Sequence, residues 1–146
     1  MTRTIQHQID IDAPPAAVWA HLTDTPAYAE WNPFVRRLSG RLTPGSRLRV
    51  RIAPPGARAM TFRPTVVAAE EGRELRWLGR LLVPRLFDGE HSFHLQELPG
   101  DRTRLTQSER FRGLLVGLSG GTLEKTRRGF EQMNHALKQR VEAARP

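Results

Sequence analysis

The amino-acid sequence predicts a single α+β domain over residues 1–146, in which a curved antiparallel sheet of about seven strands wraps around a long C-terminal helix. Two short helices are expected after the first strand. Apolar and polar residues alternate in several segments up to residue 112, which is typical of strands with one buried face. The apolar spacing becomes helical after residue 120. The length suffices for one hydrophobic core, and no repeat or linker divides the chain.

The N-terminal segment is expected to form a strand followed by two short helices. Apolar residues and His7 alternate with polar residues over residues 5–11, which predicts a half-buried strand. Asp12 is the expected N-cap of the first helix, because the prolines at 14–15 suit a first helical turn. The second helix is expected to end before Asn32, which precedes a proline and is therefore biased away from helical geometry.

The middle of the chain is expected to consist of strands near residues 48–52, 60–69, 75–81, 91–95 and 105–111. Pro64 predicts a bulge or an edge position in the second of these, because proline has no backbone N–H to donate. Arg47, Arg49 and Arg51 alternate with apolar residues, so they are expected to form a basic outer face. Such a face is either solvated or meets an acidic partner or anionic lipid.

A long amphipathic helix of about 20 or more residues is expected after the glycine-rich segment 113–121. Ser119 or Thr122 is its expected N-cap. This helix is the only predicted element large enough to cover the apolar face of the sheet. Its apolar residues at helical spacing are Leu123, Phe130, Met133, Leu137 and Val141.

Composition excludes several classes of protein. The absence of cysteine excludes disulfide frameworks, thiolate zinc sites, iron–sulfur clusters and cysteine nucleophiles. The net charge of +8 comes from basic residues spread along the chain rather than from a basic run, so nucleic acid is not an expected partner. We expect a cytoplasmic protein without stable membrane insertion, because the sequence shows neither a signal peptide nor the roughly 20 apolar residues of a membrane span.

Two short motifs resemble functional sites but lack the required context. His91 and His94 are three residues apart on a predicted strand, so their side chains point to opposite faces and cannot share one ion. Residues 117–121 match a nucleophile elbow around Ser119, but that motif needs a parallel α/β sheet. No metal is expected, because the remaining histidines are scattered along the sequence: His7, His21 and His135. No cofactor is expected either, since the sequence has no G-x-G-x-x-G or Walker motif for a nucleotide.

Several motifs together resemble one known superfamily. They are DAPPAAVWA at 12–20, TD at 23–24, EWNPF at 30–34, GEHSF at 89–93 and TRLTQSERFRG at 103–113. Over nearly the whole chain the sequence resembles the START-like (SRPBCC, polyketide cyclase/dehydrase) superfamily. The resemblance implies its helix-grip fold, which agrees with the element order above, and a deep apolar cavity between helix and sheet. The superfamily includes lipid and sterol carriers, hormone binders, aromatic polyketide cyclases, antitoxins and cochaperones, so no universal catalytic residues follow.

The apolar face of the last two predicted strands carries three polar side chains. Alternation places His91, Gln107 and Glu109 on the face that also buries Phe93 and Phe111. An unsatisfied buried polar group costs about 1–3 kcal/mol, so these side chains either satisfy one another or line a cavity and meet a ligand. In the second case Glu109 and His91 are candidates for an acid/base pair in aldol-type ring closure and dehydration, the chemistry of polyketide cyclases. In the first, Glu109 bonds to backbone or arginine partners and His91 is an ordinary core histidine.

Three functions compete at this point. The first is binding of a small hydrophobic ligand (a lipid, polyketide or aromatic metabolite) by a monomer or homodimer, which needs a cavity of a few hundred Å³. The second is a cyclase or dehydratase that uses Glu109 and His91. The third is non-enzymatic binding of a protein partner, as in antitoxin or cochaperone relatives, which needs an exposed apolar patch. The residues expected to contact a ligand are Trp77, Phe93, Gln107, Phe111, Phe130 and Met133.

Overall fold

The computed structural model of the chain describes residues 2–81, 87–113, 116 and 120–144. None of the described helices is long and apolar enough to cross a membrane. In chain order the elements are β1 (Thr2–Ile11), α1 (Pro15–Leu22), a 3₁₀ turn (Thr25–Ala27), α2 (Tyr28–Trp31), β2 (Val35–Ser39), β3 (Arg49–Ile52), β4 (Met60–Phe62), β5 (Thr65–Glu70), β6 (Glu74–Leu81), β7 (Phe87–Leu98), β8 (Arg102–Arg112) and α3 (Gly120–Ala143).

The strands form two antiparallel hydrogen-bonded sheets, one in the order β1-β8-β7-β6-β5 and a smaller one in the order β2-β3-β4. Three backbone hydrogen bonds of 2.8 Å connect the segment before β3 to the region of β5: Gly45 N–H donates to Val66 O, Leu48 N–H donates to Pro64 O, and Val66 N–H donates to Ser46 O. The buried face of α3 contributes to the main hydrophobic core. The predicted α+β class is confirmed, although the described residues form eight strands in two sheets rather than one sheet of about seven.

Two strand predictions are wrong in detail. β2 has no counterpart among the predicted strands, because a register shift between Val35 and Arg37 breaks its period of two. Val35 and Leu38 are therefore both buried although they are three residues apart. The single strand expected over residues 60–69 is instead β4 and β5, which belong to different sheets. Pro64 lies between them, where the missing N–H interrupts the hydrogen-bond ladder.

Two of the predicted helix caps, Asp12 and Thr122, are also wrong. Pro14 rather than Asp12 occupies the N-cap position of α1, and no side chain caps that helix by a hydrogen bond. Thr122 lies inside α3, whose first residue is Gly120. Ser119, the alternative cap, lies outside the described residues. The proline rings at the start of α1 fix φ near the helical value, so the helix begins there without a side-chain cap.

An asparagine turn holds Phe34 against α3. The fully buried Asn32 accepts hydrogen bonds at Oδ1 from the backbone N–H groups of Phe34 (3.0 Å) and Val35 (2.9 Å). The Phe34 ring meets the Phe130 ring edge to face, with centroids 5.6 Å apart. A Cβ atom at Gly129 would lie 2.3 Å from a Phe34 ring carbon, so only glycine permits this approach of the helix.

Candidate functional site

A cavity of about 100 Å³ lies between the smaller sheet, strands β6 to β8 and the first turns of α3. Its volume is below the few hundred Å³ expected from the sequence, and it is closer to that of cavities which accept a benzene-sized molecule. Most of the lining is apolar. The lining residues are Phe34, Val35, Val50, Ile52, Met60, Phe62, Pro64, Trp77, Gly79, Arg80, Gly89, His91, Glu109, Thr122 and Thr126.

Two glycines on neighbouring strands leave space in the wall of the cavity. Gly79 on β6 is paired with Gly89 on β7. A Cβ atom at Gly79 would have no neighbour closer than 3.8 Å, the Cβ of Pro64. A Cβ atom at Gly89, in contrast, would lie only 2.3 Å from Oε2 of Glu109. The Glu109 carboxylate therefore occupies the volume that any side chain at position 89 would need.

Glu109 and His91 form the polar part of the lining. The two residues are directly opposite each other in the β7–β8 register. His91 Nδ1 lies 3.2 Å from Glu109 Oε1. The His91 side chain is 5% exposed and that of Glu109 17%, so the carboxylate is the more accessible member of the pair. This separation allows direct proton exchange between them.

A buried chain of hydrogen bonds continues from the other edge of His91. His91 Nε2 lies 2.9 Å from Gln107 Oε1, and Gln107 Nε2 donates to Asn134 Oδ1 on α3 at 2.8 Å. Asn134 Nδ2 donates to the backbone carbonyl oxygen of His7 on β1 (3.0 Å) and lies 2.9 Å from His7 Nδ1. The three polar side chains found on the strand face thus satisfy one another in part, while two of them also line the cavity.

Aromatic rings enclose the His91 imidazole. The Trp77 indole stacks on it with centroids 5.0 Å apart and planes inclined by 21°. The rings of Phe93 and Phe130 lie 4.8 Å and 4.9 Å from it. Ring contacts of this kind, together with hydrogen bonds at both nitrogens, fix the orientation of the imidazole plane.

The sequence also matches the model of one protein family over residues 2–142, a family described as polyketide cyclase/dehydrase and lipid transport. The chain belongs to this family. Membership confirms the superfamily resemblance drawn from the motifs, and it supports ligand binding or cyclase activity in general terms. No curated protein is significantly similar to the chain in sequence.

Solved structures with the same fold share little sequence with this polyketide cyclase/dehydrase family member. A START superfamily protein from Mycobacterium smegmatis is 19% identical, with 97% of this chain and 99% of that chain covered and a TM-score of 0.76. The ZhuI aromatase/cyclase from Streptomyces sp. R1128 is 19% identical, with coverages of 97% and 94% and a TM-score of 0.74. Norcoclaurine synthase from Thalictrum flavum, in complex with dopamine and hydroxybenzaldehyde, is 11% identical, with coverages of 100% and 90% and a TM-score of 0.75. These similarities establish the helix-grip fold.

The predicted site residues of this family member occupy two kinds of position. Trp77, His91 and Glu109 line the cavity. The other predicted residues are buried but are not among the lining residues. Phe93, Phe130 and Met133 belong to the main core, and Gln107 lies behind His91. Phe111 packs with Val116 and Leu123 in a second cluster. A ligand contact for each of these residues stays a prediction.

The smaller sheet supplies lining residues that were not predicted. Val50, Ile52 and Phe62 come from β3 and β4, and Phe34 precedes β2. The alternation of residues 48–52 with arginines did indicate an inward apolar face. The alternation could not indicate that this face lies over the cavity. That position depends on the division into two sheets at Pro64, where the sequence predicts one continuous strand.

The basic outer face is larger than the sequence pattern indicated. Arg49 and Arg51 line an open groove of about 660 Å³ together with Arg36 and Arg37 of β2. Arg47, the third predicted member, instead donates from Nε to the Arg63 carbonyl oxygen at 3.3 Å. A partner for this face stays a prediction.

Two of the scattered histidines come together in the folded chain. Donor atoms of His7 on β1 and of Glu131 and His135 on α3 lie within 4.8 Å of one another. Their wide separation along the sequence did not indicate this proximity. His7 Nδ1 already faces Asn134 Nδ2 (2.9 Å), and Glu131 Oε2 lies 3.5 Å from Arg127 Nη1. We assign no metal to this group, because two of its three members have protein partners.

Acidification is expected to destabilise the protein through His7. Burial lowers the pKa of His7 below 6.5; the charges of His135 and Arg127 also lower it, and Glu131 opposes them. Below pH 6.5 the His7 side chain is therefore protonated more readily in the unfolded chain than in the folded chain. The free energy of unfolding falls as the pH is lowered from 6.5, until the pH is below the lowered pKa of His7.

Urea denaturation at about pH 7.5 and 5.5 should show this loss as a lower denaturation midpoint at the more acidic pH. His7→Gln removes the titrating ring and should lose less stability over the same interval. An equal loss of stability in the wild type and in His7→Gln would show that His7 is not the group responsible.

Proposed function

We propose that this domain binds a small aromatic or unsaturated molecule, about the size of one ring, in the cavity beside His91 and Glu109. The observation that carries the proposal is a mostly apolar cavity with a paired histidine and glutamate in its wall. Ligand sites generally combine apolar walls with a few placed polar groups. The ligand is therefore expected to carry a hydroxyl or carbonyl oxygen that reaches the Glu109 carboxyl group.

The lining supports a flat ligand. Trp77 is 5% exposed and has its indole stacked on His91, so it adds an aromatic wall next to the polar pair. A volume of about 100 Å³ leaves space for one ring rather than for a fused polycycle or a long acyl chain. The binding of dopamine and hydroxybenzaldehyde by a structural neighbour of the same fold is consistent with a single-ring ligand.

The proposal is tested by titrating the protein with phenol, 4-hydroxybenzaldehyde and 2-naphthol while following tryptophan fluorescence and the backbone amide NMR signals of Trp77 and His91. The single-ring compounds are expected to bind more tightly than 2-naphthol.

Gly79→Leu should place a side chain in the cavity and weaken binding by about tenfold or more, equivalent to about 1.4 kcal/mol. Gly79→Ala, which meets no atom closer than 3.8 Å, is the graded control and should weaken binding less. Binding that is unchanged in Gly79→Leu would place the ligand elsewhere and end the proposal.

A second candidate function is catalysis of ring closure with loss of water, which the 3.2 Å contact between His91 and Glu109 favours. In such a reaction Glu109 removes a proton from a carbon next to a carbonyl group, and that carbon forms a bond to a second carbonyl carbon. Glu109 returns its proton to the new alkoxide oxygen, which becomes a hydroxyl group. Glu109 then removes a second proton from the attacking carbon, and the hydroxyl group leaves as water with that proton. Loss of one water from a bound dicarbonyl compound, measured by mass spectrometry, distinguishes catalysis from binding alone.

Binding of a protein partner finds less support. Among the described residues, the exposed large hydrophobic side chains are Met60 on β4 and Val67 on β5, in different sheets. They do not form the contiguous apolar patch that such a function needs. A homodimer and the exclusion of nucleic acid both stay predictions.

A further inference from the structure

The buried hydrogen-bond chain behind His91 has one fixed starting point. Asn134 Nδ2 lies 3.0 Å from the backbone carbonyl oxygen of His7, and a carbonyl oxygen can only accept a hydrogen bond. The amide of Asn134 must therefore present its NH₂ group to β1. Its Oδ1 atom then faces Gln107, 2.8 Å away.

The orientation of Asn134 determines that of Gln107. Asn134 Oδ1 can only accept, so Gln107 must present Nε2 to it and turn Oε1 towards His91. Gln107 Oε1 lies 2.9 Å from His91 Nε2 and can likewise only accept. His91 Nε2 must then carry a proton to make this hydrogen bond.

We infer that the chain from the His7 carbonyl oxygen through Asn134 and Gln107 fixes His91 in the state protonated at Nε2, which leaves Nδ1 as the edge that exchanges a proton with Glu109. Two arrangements satisfy every donor and acceptor. In one the proton lies on Nδ1 beside an ionised Glu109; in the other it lies on Glu109 beside a neutral imidazole. The neutral form with a proton on Nδ1 and a bare Nε2 is excluded, because Nε2 would face an oxygen.

This arrangement gives the two members of the pair different roles, an inference that rests on the proposed function. His91 Nε2 points away from the cavity towards the fully buried Gln107. Glu109 lines the cavity and is the more exposed of the pair, so it is the group that exchanges a proton with the ligand. His91 stores that proton at Nδ1. Gln107 and Asn134 are positioning residues, since they act on Glu109 only through His91.

The alternative orientation fails at β1. If both amides were rotated, Asn134 Oδ1 would face the His7 carbonyl oxygen at about the 3.0 Å now taken by Nδ2. Two acceptors would then be in contact, and the His7 carbonyl oxygen would lose the hydrogen bond from Asn134. Asn134 Oδ1 could then accept only from a proton on His7 Nδ1, 2.9 Å away. Contact between two acceptors at a fully buried residue is unfavourable, so Asn134 keeps Nδ2 towards β1.

The test is a long-range ¹H–¹⁵N NMR spectrum of the histidine rings in ¹⁵N-labelled, ligand-free protein at neutral pH. The ¹⁵N shift of His91 Nε2 is expected in the protonated range, and His91→Phe identifies the signals by their loss. A wild-type His91 with Nδ1 protonated and Nε2 bare would overturn the inference, and this measurement needs no other variant to fold. Because no ligand is present, failure of phenol or 4-hydroxybenzaldehyde to bind would count against the proposed function without affecting this result.

Variants at Asn134 separate positioning from a purely structural role. Asn134→Leu removes the acceptor that orients Gln107, so the His91 Nε2 signal should shift towards the unprotonated range. Asn134→Asp loses the hydrogen bond to β1, but both of its oxygens accept, so Gln107 keeps its orientation and His91 Nε2 should stay protonated. Gln139→Leu on the same helix changes an exposed side chain that is not among the lining residues of the cavity, and it should leave the His91 signals unchanged. If Asn134→Leu folds and keeps the wild-type His91 shifts, Asn134 does not position this ring.

Discussion

Gly129→Ala is expected to lower the free energy of unfolding by about 1–3 kcal/mol, although alanine favours a helix by about 1 kcal/mol over glycine. The added Cβ would lie 2.3, 2.5 and 3.0 Å from three ring carbons of Phe34. These atoms cannot move aside cheaply, because Phe34 is 1% exposed and packed edge to face against Phe130. The Asn32 turn also fixes the backbone of Phe34. Urea denaturation followed by circular dichroism measures the change.

Gly121→Ala is the matched control, because Gly121 lies in the same helix and a Cβ atom there would have no neighbour within 4 Å. This variant should be as stable as the wild type or more so. Adding Phe34→Leu to Gly129→Ala should recover part of the lost stability, because a smaller side chain relieves the overlap. A Gly129→Ala protein with wild-type stability would show that α3 does not approach Phe34 as closely as described.

Local sequence patterns predicted the larger sheet and α3 well, because one alternation or one helical period decides which face of each element is buried. The same reasoning placed His91, Gln107 and Glu109 on one face of neighbouring strands. It did not predict β2, because the bulge between Val35 and Arg37 removes the period on which such a prediction depends.

Contacts between distant elements were beyond the sequence patterns. The hydrogen bonds of Asn134 to His7 and Gln107 join α3 to β1 and β8, and their positions along the chain are 27 to 127 residues apart. Periodicity shows which face of α3 is buried, but it does not show where along β1 the helix lies. For the same reason the proximity of His7 to His135 was missed. The small volume of the cavity depends on side-chain packing, which the pattern of apolar residues does not determine.

Gly89→Ala is expected to weaken binding of 4-hydroxybenzaldehyde by about tenfold or more, a loss of about 1.4 kcal/mol, with little loss of stability. A Cβ atom at Gly89 would lie 2.3 Å from Glu109 Oε2, so the carboxylate must leave its present place. Because this group is the flexible end of a partly exposed side chain, its displacement need not disturb the strand pairing. The contact between Glu109 Oε1 and His91 Nδ1, now 3.2 Å, should be lost with it.

Gly79→Ala makes this experiment specific for the carboxylate. Gly79 is the strand partner of Gly89 and lines the same cavity, so alanine there removes a similar volume without contacting Glu109. If the position of the carboxylate matters, Gly89→Ala should weaken binding far more than Gly79→Ala, and Glu109→Gln should match Gly89→Ala. Equal effects of the two alanine variants would mean that only the cavity volume was reduced, and a role for Glu109 in ligand binding would be refuted.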